Sequence, residues 1–169
     1  MQKRIQILMF ILAAFLSGCA AESKGEEELR ETVIPGDFDF KVTFGVQKKN
    51  EINTYEDTVT KDLIAAGTAT INLTLTLDEM TDIYEKMRVI NVSETKQFIP
   101  HSNCFREPYS EDEWQITMNG ETFSHIISEE YCVQTADAKE MIELRQYIFS
   151  MVNSKEEYKA LPEAEGGYE

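Results

Sequence analysis

The sequence predicts an α+β domain: a two-layer packing of an antiparallel sheet against two amphipathic helices, in the order βββα-ββα. Three observations carry this. Apolar residues recur with period two in several short runs, which is the spacing of a half-buried strand. The period then changes to about 3.6 in two places, after Thr76 and after Thr135, as an amphipathic helix requires. Asn119-Gly120 stands between two alternating runs and is a strong hairpin-turn signal.

The elements follow in order. Phe38, Phe40, Val42, Phe44 and Val46 alternate with Asp39, Lys41, Thr43 and Gly45, giving the first strand. Gln47 to Glu51 reads as a turn, and Asn53 to Lys61 as one weaker, Thr-rich strand at an edge or over a wet face. After the breaker Ala65-Ala66-Gly67, residues Ile71, Leu73, Leu75 and Leu77 alternate with polar ones in a third strand. Thr76-Leu-Asp-Glu79 fits a capping box. Met80, Ile83, Tyr84, Met87 and Ile90 then share one helix face, and Asn91 ends the helix. Asp82 and Lys86 are spaced to pair at i,i+4.

Residues 92–111 form a long irregular loop with Pro100 and Pro108. Trp114, Ile116 and Met118 lead into the Asn119-Gly120 turn, and Glu121 to Ile127 returns as its partner strand. Thr135 opens a long helix whose inner face is Met141, Leu144, Ile148 and Val152, ending near Ser154. Leu161 and Tyr168 are placed to pin the following segment against the domain.

The 169 residues carry 16 Lys+Arg against 31 Asp+Glu, a formal net charge of −15. A chain with 42% hydrophobic and 10% aromatic residues can build a core, which excludes a wholly disordered acidic protein. The charge repels nucleic acid and anionic lipid headgroups, so neither is an expected partner.

The first residues give an address. Lys3 and Arg4 precede an apolar stretch, Ile5 to Phe15, interrupted only by Gln6, and the stretch ends in Leu16-Ser17-Gly18-Cys19. A basic start and a short apolar run read as a secretory signal. The final four residues resemble the lipobox of bacterial lipoproteins. That resemblance implies a diacylglycerol on Cys19, removal of residues 1–18 as signal peptide, and the extracytoplasmic face of the cell membrane as location. Two acyl chains anchor stably where one does not, since each buried methylene contributes about 0.8 kcal/mol. Loss of Lys3 and Arg4 would leave a net charge of −17. Residues 19–36, with five glutamates, read as an acidic flexible tether, and 37–169 as a single domain. Such a tether has a reach of roughly 20–25 Å.

The body is similar to small lipoproteins of Gram-positive spore-forming bacteria. The residues that carry this are Phe38-Asp-Phe40 with Phe44-Gly45-Val46, Asn50 to Thr54, Thr60-Lys61-Asp62, Lys155 to Tyr158, Leu161-Pro162 and Gly166-Gly167-Tyr168. The resemblance implies location and domain extent, and no activity.

Few residues point to chemistry. Cys104 and Cys132 form an even pair in an exported domain, so a disulfide is expected, with free thiols or a metal as the alternatives. His101 stands three residues from Cys104, while His125 and Cys132 are more loosely spaced. Structural zinc wants two tight pairs, so no metal or other cofactor is expected. Carboxylate pairs such as Asp37-Asp39, Asp112-Glu113 and Glu129-Glu130 arise readily among 31 acids, and no nucleophile elbow, phosphate loop or HExxH occurs. The reading is therefore a non-enzymatic envelope module. It is expected to bind an envelope protein or small ligand through the sheet face or through the loop that bears Phe98, Phe105 and Tyr109. Ion sensing and a cell-envelope hydrolase are the alternatives.

Overall fold

The computed structural model describes residues 33–169. The signal peptide at 1–18, the lipidation site Cys19 and the tether as far as residue 32 lie outside the described residues. The described chain is α+β. Its strands are β1 (Asp39–Phe44), β2 (Asn50–Asn53), β3 (Thr58–Asp62), β4 (Thr68–Asn72), β5 (Glu111–Met118) and β6 (Glu121–Ser128). Helix α1 (Leu77–Val89) precedes β5, and α2 (Ala136–Ser154) and the one-turn α3 (Glu156–Lys159) follow β6. The six strands form one antiparallel sheet in the order β4-β3-β2-β1-β5-β6.

Four strands therefore precede α1, where the sequence predicts three. The Thr-rich run from Asn53 to Lys61 is split, because residues 54–57 turn between β2 and β3. Asp57 takes a left-handed φ of 52° there, which a short polar side chain tolerates. The last predicted strand of the first half is also displaced. β4 ends at Asn72, yet Leu73 and Leu75 are buried. Leu73 N still donates to Asp57 O, and beyond it the extended chain leaves the sheet for the helix. Leu77 opens α1 and is 70% exposed.

Alternation selects the buried sheet face. In β1 the buried residues are Phe40, Val42 and Phe44; in β5 they are Asp112, Trp114, Ile116 and Met118. Register places Phe40 opposite Ile116 and Val42 opposite Trp114. The same core takes Ile83, Tyr84 and Met87 from α1 and Met141, Leu144, Ile148 and Val152 from α2. Full burial of each such side chain contributes about 1.5–3 kcal/mol. The sheet positions between them carry Asp39, Lys41, Thr43, Glu113, Gln115 and Thr117.

Local signals fix the ends. Thr76 accepts from Glu79 N, and the Glu79 carboxylate accepts from Thr76 N, closing the capping box. Thr135 caps α2 by accepting from Ala138 N. In the β5–β6 turn, Asn119 and Gly120 both have positive φ, as this two-residue turn requires. The Asp37 carboxylate accepts from both of their amides, at 3.0 and 2.6 Å. Asp39 accepts from the Thr54 hydroxyl. The Asp37-Asp39 pair therefore serves the sheet.

Candidate ligand-binding site

The three loop aromatics have three different surroundings. Phe98 packs against the core, its ring edge-on to that of His125 at 5.6 Å. The His125 Nε2 lies 2.6 Å from the Val92 carbonyl, so this imidazole holds the loop to β6. Phe105 is 61% exposed, with its ring 5.3 Å from Tyr131. It adjoins the disulfide between Cys104 and Cys132, whose Cα atoms are 5.4 Å apart. Tyr109 lines a cavity of about 350 Å³.

Three segments distant in sequence wall that cavity: Val46–Lys48, Glu107–Tyr109 with Glu111, and Tyr168–Glu169. The first is a 3-10 turn in which Gln47 and Lys48 both hold left-handed φ, 58° and 54°. Two adjacent non-glycine residues there cost about 1–3 kcal/mol each, so surrounding structure must impose the conformation. Gly45 permits it. At its φ of 90° a side chain is strained, and a Cβ would lie 2.8 Å from Asn50 Nδ2. The Asn50 amide is itself fixed, donating to Phe44 O and accepting from Asp62 N.

Lys48 seals the turn. Its ammonium lies 2.8 Å from Glu113 and 2.9 Å from Glu111. The hydrogen bond to Glu113, then that to Glu111, pushes its pKa up to about 12. The same contact holds Glu113 below the usual carboxylate range. Lys48 is thus neutralised by two carboxylates. Among the described residues, Glu107 and Glu169 are in no ion pair.

The third wall is brought in by backbone bonds. Ala65 N donates to Glu165 O and Glu165 N donates to Leu63 O, a short bridge beside the β3–β4 turn. Tyr168 then donates its phenol to Asp62 at 2.5 Å, and Lys49 Nζ sits 5.0 Å from its ring centroid. Leu161 packs against the core, so both expected pins hold. The cavity offers the Tyr109 ring and an acidic rim beside a Tyr168 ring that already carries Lys49, which suits binding a cation.

A second cluster joins Asp112 and Glu129, which the sequence shows only as members of chance carboxylate pairs, through Arg145. Asp112 is 1% exposed, and Arg145 donates to it at 2.9 Å. Arg145 also reaches Glu129, which accepts from Arg106. Burial pushes the Asp112 pKa up to about 6 against the pull of Arg145. Its Oδ1 has no hydrogen-bond partner among the described residues. The carboxyl is enclosed, so the cluster ties β5, β6 and α2 together. The available signal was period two: Asp112 stands two places before Trp114, on the same face of β5 as Ile116 and Met118.

No family model, no curated protein and no solved structure matches this chain. Among the described residues, no helix is long and apolar enough to cross a membrane.

Proposed function

We propose that this protein is a lipid-anchored, extracytoplasmic and non-enzymatic binding module. It takes a small ligand bearing a cationic group in the cavity between Tyr109 and Tyr168. The observation that carries the ligand reading is that cavity, whose three walls come from separate parts of the chain. Its volume, about 350 Å³, is at the small end of ligand pockets. The rim carboxylates Glu107 and Glu169 would meet the cation, and a tyrosine face adds about 0.5–1 kcal/mol at such an exposed site. The anchor rests on the lipobox-like Leu16 to Cys19, with the acidic tether and the −17 charge standing the domain off the anionic membrane. The two-layer packing leaves the polar sheet face outward.

Two measurements test this. Metabolic labelling with a fatty acid should tag the wild type and not Cys19→Ala; continued labelling of the variant refutes the anchor. Titration with choline and spermidine should shift the NMR signals of Tyr109 and Tyr168, while citrate should not. Unmoved tyrosine signals with every amine refute the ligand reading.

A further inference from the structure

A second concave surface lies between α1 and α2, separate from the cavity and independent of it. It encloses about 500 Å³. Its lining repeats one spacing on both helices. Asp82, Glu85 and Val89 follow one another along α1; Glu140, Glu143 and Tyr147 do so along α2. The i, i+3, i+7 spacing keeps each set on one helix face over about 10 Å. The helices run antiparallel, since Lys96 joins Ile90 to Asp137 and Glu140 while Lys155 pairs with Glu79, so Val89, 80% exposed, lies toward Glu140 and Tyr147 toward Asp82.

Lys86 shows how this groove handles positive charge. The sequence spacing favours its pairing with Asp82. In the structure it turns across the groove instead, and its ammonium lies 4.1 Å from the Tyr147 ring centroid on α2. Among the described residues, Asp82, Glu85 and Glu143 are left in no ion pair, and Glu140 meets only Lys96, at 3.6 Å. The groove is therefore an apolar floor between two acidic banks, with one cation already seated on its aromatic wall.

We propose that the α1–α2 groove docks a basic amphipathic helix of a partner protein. Charge complementarity selects the partner: four carboxylates against Lys86 and the Lys96 that meets Glu140 leave an acidic excess, which attracts a cationic segment and repels an anionic one. The helical repeat of the banks selects its conformation, since lysines or arginines at i, i+3 and i+7 would face Asp82, Glu85, Glu140 and Glu143 while leucine-like residues between them cover the exposed Val89. An anionic lipid surface is disfavoured by the same charges.

The test uses the purified full chain and short model peptides. A Lys/Leu peptide with helical spacing should bind, become helical, and weaken roughly tenfold from low to physiological salt. Its Glu/Leu counterpart should not bind. The Glu85→Gln/Glu143→Gln variant should bind several-fold more weakly; both residues are exposed, so the fold should be retained, which circular dichroism checks. Glu56→Gln/Glu121→Gln removes the same charge elsewhere and should bind like wild type. Equal weakening in both double variants, or no binding by the Lys/Leu helix, overturns the proposal. A Lys/Leu peptide with strand spacing that binds equally well overturns it too.

Discussion

Tyr168 donates its phenolic hydrogen to the Asp62 carboxylate across 106 residues of sequence. This bond sets the third wall of the cavity against the end of β3. Asp62 also accepts from Ile64 N, so one buried carboxylate organises both the β3–β4 turn and the segment that returns to it.

Tyr168→Phe should loosen that wall. A hydrogen bond to a charged group contributes roughly 1.5–3 kcal/mol, less at this partly exposed site. Stability should fall by about 1 kcal/mol, read by urea unfolding. The amides of Ala65 and Glu165 should exchange faster, and choline should bind more weakly. Unchanged exchange at those two amides would show that Tyr168 does not hold the segment.

Stability should fall as pH rises from about 4 to about 6. Asp112 has a folded pKa of about 6, raised by burial from an ordinary value of 3.8. In that window the folded state binds more protons than the unfolded one, so raising pH favours unfolding. The effect is on the order of 3 kcal/mol at most. Below it, Glu79 and Glu113 act in the opposite sense. Burial pushes Glu79 up, but Lys155 and the Thr76 backbone outweigh it, and Lys48 lowers Glu113. Melting temperature against pH should therefore peak near pH 4, where the two trends cross, and Asp112→Asn should flatten the descent above the peak. A wild-type profile that rises from pH 5 to 7 contradicts the assignment.

Reduction of the disulfide should cost roughly 3–4 kcal/mol. Cys104 and Cys132 are 28 residues apart, and closing a loop of that size restricts the unfolded chain by about this amount. Both cysteines are exposed, so a mild reductant reaches them. Alkylation in denaturant should count two more thiols after reduction than before. No change in the count means the bond does not form.

Alanine at Phe98 and at Phe105 should separate packing from surface. Phe98 lies against the core and His125, so its removal should cost about 1–2 kcal/mol. Phe105 is 61% exposed and should cost less than about 0.5 kcal/mol. Comparable losses at both positions would mean that the disulfide-linked corner is packed more tightly than its exposure indicates.

Much of the fold was legible because it is written locally. Thr76 and Thr135 cap their helices through bonds to residues three places on, and both inner faces follow from the 3.6 period. Asn119-Gly120 needs only its own positive φ values to turn the hairpin. The split of 53–61 into two strands was not legible. Alternating threonines fit either face, and strand pairing, not composition, places the turn at 54–57. The candidate site was legible only at Tyr109. Lys48 and Tyr168 gain their roles from partners 63 to 106 residues away, Glu111 and Asp62, a distance no local pattern encodes.

Local patterns suffice for the α+β class, both long helices with their caps, the β5–β6 hairpin, and the expectation of an anchor at Cys19 and of a Cys104–Cys132 bond. Each rests on periodicity, on residues a few places apart, or on cysteine count. Tertiary structure alone decided that Asp112 is buried against Arg145, that Lys86 leaves Asp82 for Tyr147, and that Tyr168 closes a cavity with Tyr109. The reason is physical. A charged or amphipathic side chain takes its energy from the partner and dielectric it finally meets, and only packing brings these together.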